Sequence, residues 1–103
     1  MHRIAKNILV VDDNATNLRL LVNILSSAGY MVRPARSGAI ALASIYAALP
    51  DLILLDVMMP EMDGYEVCRR LKEDEHTRDI PVIFISALND LEEKVKSFAL
   101  GAV

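Results

Sequence analysis

Leu52-Ile53-Leu54-Leu55-Asp56 is a run of four apolar residues ended by a carboxylate. Its apolar part shows no alternation, so a strand there has to be covered on both faces, as an inner strand of a parallel sheet is. Two further runs read the same way: Ile8-Leu9-Val10-Val11, ended by Asp12-Asp13, and Val82-Ile83-Phe84-Ile85, ended by Ser86. Met31-Val32-Arg33-Pro34-Ala35 alternates and contains a proline, which donates no ladder hydrogen bond, so it is expected at an edge.

Helical spacing fills the intervals. Leu18, Leu21, Val22 and Leu25 form a stripe opened by Asp13 or Asn14 and closed by Gly29. Ser37 caps a second, Ala-rich segment expected to turn Ile40, Ala41, Ser44 and Ala47 to one face, and Leu49-Pro50 stops it. Asp63-Gly64 opens a third, with Tyr65, Cys68, Leu71 and Lys72 at helical spacing, and Asn89 or Asp90 opens a fourth with Leu91, Val95 and Phe98. The order β-α-β-α-β-α-β-α implies right-handed crossovers and an α/β, doubly wound parallel sheet.

Composition agrees with a single globular unit. The 103 residues are 53% hydrophobic and 24% charged, with a net charge of −3. That length supports one core, so residues 1–103 are read as one domain. The lysines and arginines are scattered, so no basic patch for direct nucleic-acid binding is expected. Asp12, Asp56 and Ser86 interrupt the apolar stretches before they reach membrane-spanning length, and four apolar residues after a basic start are too few for an export signal. A cytoplasmic location is the expectation. The lone Cys68 excludes an internal disulfide and suits a small apolar filler.

Ligands of open parallel sheets bind beyond the carboxyl ends of the strands. There the chain places Asp12, Asp13, Asp56 and Ser86. Each has a local role available, as helix cap, turn former or loop hydrogen-bonder. Gathered on one rim, the carboxylates repel one another unless a cation neutralises them. Oxygen-only donors favour a hard ion such as Mg²⁺, which commonly binds one or two carboxylates plus a phosphate. An aspartate can then serve as nucleophile in phosphoryl transfer, with a hydroxyl such as Ser86 bonding a phosphoryl oxygen.

The sequences Ile8-Leu9-Val10-Val11-Asp12-Asp13-Asn14, Asp51 to Gly64 with its D-x-M-M-P-x-M-D-G block, and Ile80-Pro81-Val82-Ile83-Phe84-Ile85-Ser86-Ala87 closely resemble the receiver domain of two-component response regulators. The resemblance implies a flavodoxin-like receiver fold with strand order 2-1-3-4. It implies Asp56 as phosphoacceptor for a phosphoryl group from a sensor histidine kinase or phosphotransfer protein, and Asp13, Asp56 and the Met58 backbone carbonyl as Mg²⁺ ligands, with Asp12 helping directly or through water. Ser86 would be the switch hydroxyl, the small Ala87 would leave room for the phosphoryl group, and Pro60 and Gly64 would shape the loop after the acceptor. Met58 occupies a place where side chains tune acyl-phosphate lifetime.

Receivers resembling this one continue with a fifth strand, ending in a lysine that contacts the phosphoryl group, and a fifth helix. Residues 1–103 are therefore expected to be a receiver incomplete at its C-terminus. Neither Lys94 nor Lys96 is placed to substitute, so phosphotransfer is expected to be impaired even if Mg²⁺ binds. An uncovered fourth-strand edge would favour a homodimer or higher self-association. The leading reading is thus a phosphorylation switch, not an enzyme acting on other substrates, whose output domain or effector lies beyond this chain. The alternatives are a Mg²⁺-dependent phosphatase with an aspartyl nucleophile and an interaction domain that works without phosphorylation. The first generally shows D-x-D on one strand, whereas here the acids are adjacent and the nucleophile candidate sits on another strand.

Overall fold

The computed structural model describes residues 6–85. The elements run β1 (Asn7–Val11), α1 (Ala15–Ser27), β2 (Met31–Ala35), α2 (Gly38–Ala47), β3 (Leu52–Asp56), α3 (Gly64–Glu73) and β4 (Val82–Ile85). All paired strands are parallel, in the order β2-β1-β3-β4. The proline-bearing β2 is at an edge, where the missing N–H of Pro34 interrupts no second ladder. The expected fourth helix, with Asn89, Asp90, Leu91, Val95 and Phe98, lies outside the described residues, as do Ser86, Ala87, Lys94 and Lys96.

The unbroken apolar runs are explained by two-sided burial. Leu9, Val11, Ile53 and Leu55 pack with Ala41 and Ile45 of α2 and Val67, Cys68 and Leu71 of α3. Ile8, Val10, Leu52 and Leu54 face the other way, toward Leu18, Leu21, Val22 and Leu25 of α1. Successive strand residues point to opposite faces, so a strand between two helical layers carries no polar side. Register fixes the rim: Val11 pairs with Leu55, and Asp56 pairs with Ile85 one rank further on.

Caps set where the helices begin. Asn14, Ser37 and Asp63 each accept a hydrogen bond from a backbone N–H in the first turn, namely those of Asn17, Ile40 and Glu66. After α1, Gly29 turns the chain with φ +98°.

Two helix faces differ from expectation. In α2 the buried residues are Gly38, Ala41 and Ile45, while Ile40 is 54% exposed and Ala47 is exposed as well. This helix, GAIALASIYA, is apolar all round, so its sequence has no polar side to give its orientation away. In α3 the buried stripe is Gly64, Val67, Cys68 and Leu71, with Tyr65 and Lys72 only half-buried. The ammonium of Lys72 reaches the carbonyls of Arg78 and Ile80, so its stem packs while its charge stays on the margin. Cys68 is fully buried, as a filler would be.

Candidate functional site

The site grows from the ends of β1 and β3. The N–H of Asp12 donates to the Ala35 carbonyl at 3.1 Å, extending the β1–β2 pairing one step past the strand. Its Oδ1 in turn accepts the Asn14 N–H at 2.9 Å. Asp12 is only 5% exposed, held by these two bonds at the start of α1. Asp13 follows, and Asn14 begins the helix, so the acid pair is fixed between a strand and a cap.

Asp56 is fixed from the other side. The loop after it buries Val57 and Met59, leaves Met58 64% exposed, and turns tightly where the Met62 N–H donates to the Pro60 carbonyl at 2.8 Å. Glu61 in that turn has φ +68°, a left-handed conformation unfavourable for a residue with a side chain. The chain then enters α3 at Gly64, whose N–H donates to the Val57 carbonyl at 2.9 Å. A Cβ on Gly64 would lie 2.3 Å from the backbone oxygen of Asp56. Glycine is required here by close approach: α3 begins against the backbone at the end of β3.

Together these elements bring one carboxylate oxygen from each of Asp12, Asp13 and Asp56 within 4.8 Å of one another. The pKa of Asp56 is pushed up to about 7, first by burial and then by the Asp12 charge, with a smaller push from Asp13. The Met58 backbone N–H opposes this by favouring the ionised form. The charges that act on Asp56 are thus the negative ones expected of a rim built to hold a cation. The cluster contains oxygen donors only, with neither His nor Cys, which fits a hard divalent ion.

Three of the residues singled out from sequence, Asp12, Asp13 and Asp56, therefore converge. The Met58 backbone N–H bonds Asp56, while the Met58 side chain is exposed to solvent. Its N–H toward Asp56 was not legible in the sequence, because every residue except proline carries one. Ser86 follows Ile85, the partner of Asp56 across β3 and β4, and itself lies outside the described residues. No helix among the described residues is long and apolar enough to cross a membrane.

Similarity to known proteins points the same way. A response regulator, PleD of Caulobacter vibrioides, is 50% identical over 95 residues, which are 92% of this chain and 21% of that protein. The DNA-binding dual master transcriptional regulator RpaA of Synechocystis is 42% identical over 92% of this chain and 39% of its own length. The chain thus spans between about a fifth and two fifths of these relatives. Among solved structures, the N-terminal domain of a response regulator receiver protein from Methanoculleus marisnigri superposes with a TM-score of 0.87 at 39% identity, covering 95% of this chain and 80% of that one. The family described as response regulator receiver domain matches residues 8–103. Because that match takes in both the acid pair after β1 and the segment from Asp56 to Gly64 after β3, the chain belongs to the response regulator receiver domains, the phosphoacceptor modules of two-component signalling.

Proposed function

We propose that Asp56 is the phosphoacceptor, and that Asp12, Asp13, Asp56 and the Met58 backbone carbonyl hold Mg²⁺ beside it. The observation that carries this reading is the trio of carboxylate oxygens within 4.8 Å, with Asp56 held at a pKa of about 7. Bound there, the ion would offset the charge of the carboxylates and of the incoming phosphoryl group.

The chain's own residues do the rest. An ionised Asp56 oxygen attacks the phosphorus of a phosphohistidine on a sensor histidine kinase or phosphotransfer protein. An O–P bond forms, the N–P bond breaks, and the imidazole nitrogen keeps the electron pair. Asp12 and Asp13, anchored by β1 and the α1 cap, keep the acceptor in a strongly negative setting until a cation arrives. The Met58 N–H steadies the ionised form of Asp56. Ser86 is the switch hydroxyl that bonds the phosphoryl oxygen and carries the following segment inward. The domain hydrolyses only its own acyl phosphate, works in the cytoplasm, contacts no nucleic acid itself, and hands its state to an output domain or effector.

The experiment pairs a Mg²⁺ titration with acetyl phosphate labelling. Saturable Mg²⁺ binding, Mg²⁺-dependent labelling, and loss of labelling in Asp56→Asn are expected. Labelling retained in Asp56→Asn, or steady turnover of a phosphomonoester, would overturn the assignment.

A further inference from the structure

Gly38 is the first residue of α2, a place where glycine is a poor choice for helix formation. Its backbone is not left-handed, so conformation does not demand glycine. Space does. A Cβ at this position would lie 2.9 Å from Cγ2 of Val67, 3.1 Å from Cβ of Met62 and 3.1 Å from its Sδ. Val67 is fully buried on α3 and stiff at χ1, so it cannot swing aside. Met62 is half-buried in the loop between β3 and α3 and is the group able to yield.

That loop transmits any displacement to the acceptor. Met62 is tied to Pro60 across the Glu61 turn, and its neighbour Asp63 caps α3. Gly64 then abuts the Asp56 backbone so closely that no atom fits between them. The loop is gripped at both ends, by α2 at Met62 and by the end of β3 at Asp56.

We propose that Gly38 is a positioning residue for the phosphoryl site: its missing side chain lets α2 seat Met62, and the seated Met62 holds residues 57–63 in the arrangement that presents Asp56 and the Met58 backbone. The inference rests on the assignment of Asp56 and the Mg²⁺ ligands made above. A methyl group at Gly38 displaces Met62 by a few tenths of an ångström, and misplacement of this size at a site's supporting loop lowers its function by several-fold to roughly tenfold.

The test measures Mg²⁺ affinity by calorimetry and acetyl phosphate labelling per folded molecule, each at a temperature where the variant is fully folded. Gly38→Ala is expected to weaken Mg²⁺ binding roughly tenfold and to slow labelling at saturating Mg²⁺. Gly38→Ala combined with Val67→Ala, which removes the tightest contact and lets the new methyl lean away from Met62, restores part of both. Arg33→Ala, which loosens α2 at its far end, lowers the melting temperature but leaves Mg²⁺ affinity unchanged, separating positioning from stability. Met62→Ala overpacks nothing and is read alongside in case Gly38→Ala does not fold; it too is expected to weaken Mg²⁺ binding. Wild-type Mg²⁺ affinity in Gly38→Ala or in Met62→Ala, or an equal loss of affinity in Arg33→Ala, overturns the proposal. A wild-type chain that binds no Mg²⁺, or Asp56→Asn that still labels, instead defeats the underlying assignment.

Discussion

Leu55 and Asp56 are neighbours in β3 and serve opposite ends. Leu55 is fully buried among Leu9, Val67 and Leu71, in the layer where α2 and α3 cover the sheet. Asp56, one residue on, stands at the rim beside two other carboxylates, with its ionised form disfavoured by burial and by Asp12. The layer contributes folding free energy, and the rim consumes some of it. Like charges do not assemble by attraction, so the packed layer and the caps of α1 and α3 must hold them in place. Removing side chains should therefore have opposite signs in the two regions.

The largest effect is expected in the packed layer. Leu71→Ala leaves a cavity under α3 and is expected to destabilise the domain by about 3 kcal/mol, read by urea denaturation. A change under 1 kcal/mol would mean that the layer is far looser than its burial indicates.

At the rim the sign reverses. In Mg²⁺-free buffer, Asp56→Asn is expected to stabilise the domain at neutral pH by on the order of 2 kcal/mol, a figure reduced for solvent screening of a half-buried group. The pH dependence follows from the same shift. The folded state holds the Asp56 proton up to about pH 7, whereas the unfolded chain releases it near the ordinary aspartate value of 3.8. Between these values the folded state binds more protons, so this contribution to stability falls as pH rises from about 4 to about 7 and is level on either side. The wild type should show this fall relative to Asp56→Asn, and saturating Mg²⁺ should suppress it. Parallel curves for the two proteins would show that Asp56 is not the source.

A smaller loss is expected away from both regions. The last turn of α2 has no basic residue of its own. Arg33 of β2 supplies one from outside, donating to the Ser44 carbonyl at 3.3 Å, the Ala48 carbonyl at 2.6 Å and Asn7 Oδ1 at 3.2 Å. Arg33→Ala should lower stability by about 1 to 2 kcal/mol through the lost carbonyl partners and the lost charge at a helix C-terminus. The smallest change is expected at the turn after β3. Glu61→Gly relieves a left-handed backbone but gains unfolded-state freedom, leaving a net stabilisation of about 0.5 kcal/mol, read as a small rise in melting temperature.

Much of this was legible in the residues, for reasons that differ along the chain. β1 and β3 were readable because burial on two faces leaves an unbroken apolar run, β4 from the same kind of run, and β2 because Pro34 marks an edge. The starts of the helices were readable because Asn14, Ser37 and Asp63 are short polar side chains that satisfy backbone donors locally. The orientation of α2 was not, since a helix apolar on every side looks the same at any rotation. At the site, the carboxylates could be named from their places at strand ends. The close approaches of Gly38 and Gly64 and the inclination of the Met58 N–H could not, because a glycine in sequence does not say what it makes room for.

The parallel α/β order, the rim on which chemistry would sit and the presence there of Asp12, Asp13 and Asp56 are thus written in the residues themselves. These follow from local periodicity, capping and the rule that strand ends share an edge. How near those carboxylates come, how strongly Asp56 resists ionisation, and which face of α2 closes on the loop after β3 emerge from the folded arrangement alone. Such quantities depend on distances between segments far apart in the chain, and sequence spacing does not contain them.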